Sequence, residues 1–305
     1  MAEDELARVV PQRDTALTIG VFDGVHLGHQ RLIGRLLAKA ASEGLQSGVI
    51  TFNRHPRLVL SPQAGLTYLT DIEERVRLIR GLGVEFVVAL TFTPELSRLS
   101  AREFVMLLKK HLRVRALVIG PDFALGRGRE GDGTALKALG EELGFSVEVV
   151  SPHLSQGAVV SSTAVRAALA RGDVREVGAL LGRPFVLSGP VSRGEERGRG
   201  LGFPTANLVP GPEQALPADG VYATRALLGD EAYQSVTNIG IRPTFGGGQR
   251  LIETHLLDFE GELYGRALTV ELVERLRGEM KFQGPDELKA QIARDIARAR
   301  EILRA

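Results

Sequence analysis

The chain has 305 residues, more than one ordinary domain, and 44% of them are apolar, enough side chain for two cores. A net charge of +1 gives no general attraction to nucleic acid or to a membrane surface. The absence of cysteine excludes disulfides, thiolate metal sites and a Cys nucleophile, and it fits a cytoplasmic protein. The opening MAEDELARVV is acidic and lacks an apolar core, so no signal peptide is read, and apolar runs such as FVVALTF are too short to cross a bilayer.

The first predicted element is a short apolar strand over 17–22, closed by Asp23-Gly24. Leu32, Ile33, Leu36, Leu37 and Ala40 then recur at helical spacing, and Gly44 ends that helix. Strands follow at 48–52, 84–92, 116–120 and 146–150, alternating with helices at 72–83, 101–112 and 133–144. Alternation of this kind implies a doubly wound parallel sheet covered on both faces. The pattern runs to about 182. From 183 the texture changes to short strand-like runs divided by Gly and Pro: 185–194, 220–228, 233–240, 253–259 and 266–276. These predict an antiparallel barrel or sandwich. A last helix follows, with Pro285 at its first position, Asp286 and Glu287 at its positive end, and Leu288, Ile292, Ile296, Ala299 and Leu303 as an apolar stripe able to cover the barrel. The expected fold class is therefore α/β, with domains at 1–182 and 183–305.

The chemistry concentrates first at Asp23-Gly24. A break after a strand and before a helix lies at the carboxyl edge of a parallel sheet, where ligands of open α/β folds bind. Backbone N–H groups at the helix start favour an anion. Gly24 and Gly28 leave the backbone open to a phosphate, and His26 and His29, one turn apart, share a face. Two imidazoles there can donate hydrogen bonds to phosphoryl oxygens as charge builds. The bland reading is an exposed, idle histidine pair. A metal pair is the other alternative, but no third ligand stands at suitable spacing. No G-x-x-x-x-G-K-[ST] occurs, which excludes a Walker-type loop.

The stretch GVFDGVHLGHQRLI (20–33) resembles the signature of the HxGH nucleotidyltransferase superfamily. VVSSTAVRAAL (159–169) resembles that superfamily's closing segment, in which Ser161 or Ser162 caps a helix and Arg166 follows. Taken alone, these are a helix cap and a solvated arginine. Nearly the whole chain resembles the bacterial bifunctional riboflavin kinase/FMN adenylyltransferase family, also called FAD synthetase. The matching pieces in the first half are TFNRHP (51–56), IGPDFALGRGREGD (119–132) and SSTAVR. In the second half they are GRGLGFPTANL (198–208), GVYA (220–223), TNIGIRPTFGG (237–247), ETHLLDF (253–259) and LRGEMKF (276–282). They come in the family's order and spacing.

The resemblance implies a first domain that transfers AMP from ATP to FMN, giving FAD and pyrophosphate. The FMN phosphate would attack the α-phosphorus in line, His26 and His29 would stabilise its oxygens, and Mg²⁺ would shield the triphosphate. Gly20, Phe22, Asp23, Gly24 and Asp122 would contact nucleotide or flavin, and Ser162 and Arg166 would anchor the departing pyrophosphate. Two departures are visible: Arg54 stands in TFNRHP where the family commonly has TFDPHP, and Leu125 replaces a usual Phe. The second domain is implied to phosphorylate riboflavin at its 5′-hydroxyl with ATP. Gly198, Gly200 and Gly202 would leave backbone N–H groups near phosphates. Thr205 and Asn207, two residues apart on one face of an extended segment, offer hard oxygens suited to Mg²⁺ and by resemblance hold Mg–ATP. The base falls by resemblance to Glu253, with His255 on the same face and without a role. Arg277 and Phe282 are implied flavin contacts.

Two other readings are weighed. One is a different HxGH nucleotidyltransferase, acting for example on a pantetheine or nicotinamide nucleotide, with an unrelated β domain; the FPTAN to ETH pattern argues against it. The other is a non-catalytic flavin-sensing regulator, which should have lost His29, Glu253 or the Thr205/Asn207 pair; all are present. The expected partners are small molecules, with no nucleic acid or membrane, in a monomer or weak homo-oligomer.

Overall fold

The structure, a computed structural model, describes residues 2–61, 63, 65–192, 202–241 and 250–304. It divides into two compact units, Met1–Ser162 and Thr163–Ala305. The division falls earlier than the change of sequence texture at 183. The elements of the first unit are α1 (Ala2–Ala7), β1 (Thr15–Ile19), α2 (Leu27–Glu43), β2 (Gln46–Phe52), α3 (Pro56–Leu60), α4 (Ile72–Gly81), β3 (Phe86–Leu90) and α5 (Pro94–Arg98). Then come α6 (Ala101–Leu112), β4 (Val114–Ile119), β5 (Ala124–Leu125), β6 (Gly131–Asp132), α7 (Gly133–Leu143), β7 (Ser146–Val149), β8 (Leu154–Ser155) and β9 (Ala158–Val159).

The sheet is parallel throughout, in the order β3-β2-β1-β4-β7. Every residue of central β1 is buried. Because side chains alternate, Leu17 and Ile19 join the apolar layer that holds Phe104, Leu108 and Leu136, while Ala16 joins the opposite layer with Ile33, Leu36 and Ile79. That places helices on both faces, as the alternating pattern requires. Caps fix where helices begin: Asp71 accepts from Glu74 N, Ser100 and Glu103 form a capping box, and Asp132 accepts from Thr134 N and Ala135 N. The strand expected over 17–22 instead stops at Ile19, since the chain then enters a tight turn.

The second unit follows with α8 (Ser162–Arg171), α9 (Val174–Leu181), β10 (Phe185–Ser192), β11 (Ala206–Leu208), β12 (Gly220–Leu228), β13 (Glu231–Ile241), β14 (Arg250–Leu256), β15 (Ala267–Arg277) and α10 (Pro285–Arg304). The six strands close into an antiparallel barrel, β10-β11-β14-β13-β12-β15. Closure removes the unpaired strand edges that an open sheet would leave. α10 lays Ile296, Ala299 and Leu303 on Val221, Ala223 and Val236 of the outer wall.

The barrel interior holds a chain of buried hydroxyls. Thr254 Oγ1 lies 3.0 Å from Thr237 Oγ1, which lies 2.8 Å from Thr224 Oγ1, which lies 2.7 Å from Ser235 Oγ. Ser235 donates its only proton to the Thr224 carbonyl at 3.0 Å. One proton per hydroxyl then fixes the direction: Thr254 donates to Thr237, Thr237 to Thr224, and Thr224 to Ser235. A fully satisfied chain is tolerated in a core where a single orphan would not be.

Candidate functional site

The first site grows from the turn after β1. Within six residues the backbone takes left-handed dihedrals at Phe22 (φ 53°), Gly24 (φ 80°) and Val25 (φ 42°). Bulky residues adopt such φ values only where the surroundings enforce them. The enforcement is visible around Asp23. Its buried carboxylate accepts from Leu69 N at 3.0 Å and from Thr70 N at 3.1 Å, and Thr70 Oγ1 accepts from Gly24 N at 3.0 Å. Arg75, also buried, stands 3.6 Å from Asp23 and donates to the Thr70 and Phe52 carbonyls at 3.0 and 3.1 Å. Its guanidinium lies 5.5 Å from the centre of the Tyr68 ring, whose hydroxyl accepts from His55 N at 2.7 Å. Thr70, Arg75 and Tyr68 carry no motif signal; only the fold brings them beneath the turn.

On this base sits the histidine pair. His26 is the N-cap of α2, and its Nδ1 accepts from His29 N at 3.3 Å. The two rings stack at 3.6 Å with 19° between planes, and Phe22 meets His29 edge-on at 5.1 Å. His26 is buried and His29 half-buried, so neither ring stands freely on the surface. Desolvation, with the positive fields of His26 and Arg75, holds the His29 imidazole well below the usual histidine range, so it is neutral at pH 7. Its Nδ1 is buried without a hydrogen-bond partner among the described residues. Such an orphan beside a helix N-terminus is what a site awaiting a polar ligand looks like. Gly28 has a second reason to be glycine: a Cβ there would lie 3.1 Å from both the His26 ring and the Val160 carbonyl. Ser162, the last residue of the first unit, donates from Oγ to the Asp23 carbonyl at 3.0 Å. Arg166 is half-buried one helical turn beyond Ser162. Among the described residues no group of three or more His, Cys, Asp or Glu side chains is placed to hold a metal ion.

A cleft of about 640 Å³ opens beside the turn, lined by Gly20, Phe52, His55, Pro56, Leu60, Phe92, Asp122, Phe123 and Arg129 among others. Phe52 and Phe92 pack edge-to-face at 5.6 Å. The walls are apolar and aromatic with a few polar groups, suited to a flat ring system. Asp122 is exposed at its rim, and its carbonyl accepts from Arg129 at 2.8 Å. His55 N-caps α3 through Nδ1, and Leu125 is part of the core.

The second site lies on the outer barrel wall. Strand register lines up Asn207 with Glu253, Glu253 with Asn238, Asn238 with Val221, and Val221 with Arg277. Directly paired residues point to the same face, so residues 70 positions apart in sequence form one row. Asn238 was not singled out from sequence; only register reveals it. Thr205, Asn238, Glu253, His255, Arg277 and Phe282 all line one cleft of about 570 Å³, closed on its far side by Leu288, Ile292 and Ile296 of α10. His255 has a local task, 2.7 Å from the Pro204 carbonyl. On the other side of Thr205 a second cleft of about 550 Å³ is lined by Pro204, Thr254, Phe259, Glu262 and Tyr264. Gly202 is exposed beside Phe203. Gly198 and Gly200 lie outside the described residues.

The fold defines a class of chain in which a parallel α/β unit is followed by a closed antiparallel barrel. The FAD synthetase family model matches residues 9–164 and the riboflavin kinase model residues 181–303. The bifunctional riboflavin kinase/FMN adenylyltransferase of Escherichia coli (strain K12) is 43% identical over 293 residues, spanning 95% of this chain and 93% of that protein. The Bacillus subtilis (strain 168) protein of the same name is 37% identical over 290 residues, 93% of this chain and 91% of that one. A crystal structure from Streptococcus pneumoniae, titled a macrolide-efflux protein, has a TM-score of 0.90 at 31% identity and covers 97% of this chain and 96% of its own. Among the described residues no helix is long and apolar enough to cross a membrane. The chain belongs to the bifunctional riboflavin kinase/FMN adenylyltransferase family and makes FMN from riboflavin and FAD from FMN.

Proposed function

We propose that the two activities divide at 182/183, with adenylyl transfer carried by 1–182 and riboflavin phosphorylation by 183–305. The supporting observation is that each motif set gathers on its own: His26, His29 and Ser162 at the turn after β1, and Thr205, Asn207 and Glu253 on the barrel wall.

For adenylyl transfer, a phosphate oxygen of FMN bonds to the α-phosphorus of ATP as the bond to the β-phosphate oxygen breaks. His26 and His29 donate N–H to the oxygens that gain charge. A neutral His29 suits this role, because it offers a donor without the cost of holding a buried cation. Gly20, Phe22 and Gly24 shape the turn around the nucleotide, while Asp23 acts through its bonds to Leu69 and Thr70 rather than by an exposed carboxylate. The aromatic cleft beside Asp122 takes the flavin, and Ser162 and Arg166, one turn apart on α8, anchor pyrophosphate.

For phosphorylation, Glu253 accepts the proton of the riboflavin 5′-hydroxyl, whose oxygen then attacks the γ-phosphorus and releases ADP. The Thr205 hydroxyl, the Asn207 amide oxygen and the Glu253 carboxylate form a set of hard donors, which fits Mg²⁺. Thr205 and Asn207 would hold it, and when bound it supplies charge neutralisation for the triphosphate. Gly202, exposed beside Phe203, leaves backbone N–H groups open to the phosphates. We place the protein in the cytoplasm, acting on small molecules as a monomer or weak homo-oligomer.

Variants test the division. His29→Ala should abolish FAD formation from FMN and spare riboflavin phosphorylation. Asn207→Ala or Glu253→Ala should do the reverse. Loss of both activities together in a folded chain would overturn the assignment.

A further inference from the structure

The cleft under α10 includes Arg277, by resemblance an implied flavin contact, and Arg277 is held there by side chains that have no role so far. Arg277 Nε donates to Asp295 Oδ2 at 2.9 Å, and Nη1 donates to the Gly278 carbonyl at 3.0 Å. The guanidinium also lies 5.7 Å from the centre of the Phe282 ring. Asp295 is only 6% exposed, and its other oxygen accepts from Gln291 Nε2 at 2.8 Å. Gln291 and Asp295 are one turn apart on α10, so the helix offers both from one face.

A guanidinium has five N–H donors. Two are committed here, and among the described residues the others have no hydrogen-bond partner. The side chain bearing them lines the cleft, among Val221, Val236, Ile292, Ile296 and Phe282. A clamped cation with a free planar edge, at one end of an apolar slot, fits a flat ring that ends in carbonyl acceptors. Spacing agrees with this. Glu253 and Arg277 are separated by three strand steps along one row, roughly 14 Å at the usual strand spacing. One ligand can therefore reach both ends, with its reacting hydroxyl at Glu253 and its ring edge at Arg277.

We propose that Asp295 and Gln291 are positioning residues that hold Arg277 so that its free N–H edge meets the pyrimidinedione carbonyls of riboflavin. This rests on the assignment of the barrel cleft to riboflavin phosphorylation. The competing role is purely structural: the ion pair would merely pin α10 to β15.

The test uses the full chain with riboflavin and its 2-thio and 4-thio analogues, whose thiocarbonyls accept hydrogen bonds weakly. Binding is followed by flavin absorbance and fluorescence, and kinase kinetics are measured alongside. In the wild type at least one analogue should bind about tenfold more weakly than riboflavin, equivalent to ~1.4 kcal/mol. Asp295→Asn should raise the riboflavin KM by about tenfold at nearly constant kcat and Mg–ATP KM, and should erase the analogue penalty; Asp295→Glu should restore part of both. Equal binding of all three flavins by the wild type overturns the proposal. So does a penalty that survives in Asp295→Asn, or a parallel fall of kcat, both KM terms and thermal midpoint. Should Asp295→Asn fail to fold, the wild-type titration and Arg277→Lys, expected to lose the same penalty, decide. Retained phosphorylation in Glu253→Ala would instead sink the site assignment, and the analogue titration would still judge the Arg277 contact.

Discussion

Replacing Arg75 by methionine probes how the histidine turn is held. Arg75 is 1% exposed and Asp23 is 2% exposed, with 3.6 Å between them. Methionine keeps much of the apolar stem but takes the Arg75 cation away from a buried carboxylate, to which Leu69 N, Thr70 N and Thr70 Oγ1 still donate. The Phe52 and Thr70 carbonyls each lose a donor as well. Breaking a buried pair from one side costs ~3–5 kcal/mol. At roughly 2–4 °C per kcal/mol for a unit of this size, the first unit's transition should fall by about 6–20 °C. Scanning calorimetry of the full chain measures this. Below the transition, adenylyl transfer should be impaired while riboflavin phosphorylation persists. Adding Asp23→Asn removes the stranded charge and should recover more than half of the lost stability. A fall of less than about 2 °C in Arg75→Met would refute the reasoning, and no recovery in the double variant would show that the two carbonyls, not the charge, dominate.

Three further outcomes concern this turn and the helix that follows it. Gly28→Ala brings a Cβ to 3.1 Å from the Val160 carbonyl and the His26 ring, so it should cost ~1–3 kcal/mol and depress adenylyl transfer. Gly34→Ala, on the same helix with nothing within 4 Å, should be stabilising by ~0.5–1 kcal/mol, and urea titrations of both variants measure the two changes. Acidification should weaken the first unit. The folded chain holds His29 neutral, whereas the unfolded chain takes up a proton near pH 6.5, so the unfolded state binds more protons below that value. Stability should drop as pH falls from 7 to 5, by up to about 1.4 kcal/mol per pH unit from this group, and His29→Gln should flatten the profile. Identical slopes for the two chains would contradict the burial argument.

The periodic elements were legible because burial on both faces writes itself into local sequence. The helix over 101–112 matches its predicted bounds, carrying its own apolar stripe and capping box. Short α1, α3 and α5 left no such mark, since five or six residues are too few to show a period. The short strand β11 was read only as an extended segment around Thr205 and Asn207, because three residues cannot show alternation. The motif glycines were assigned to phosphate access, yet Gly28 also answers to the Val160 carbonyl, a contact that no local pattern encodes.

Sequence by itself settled the chemistry on offer: the residue types at 26, 29, 162, 205, 207 and 253, the two textures, and the parallel against antiparallel character of each half. Tertiary structure decided which of these residues meet and what supports them. Register between β13 and β14 set Asn238 beside Glu253, α10 brought Asp295 to Arg277, and packing slid Arg75 beneath Asp23. Hydrophobic period is a property of neighbours along the chain, whereas a buried charge finds its partner only after the chain has closed, and so it leaves no spacing to read.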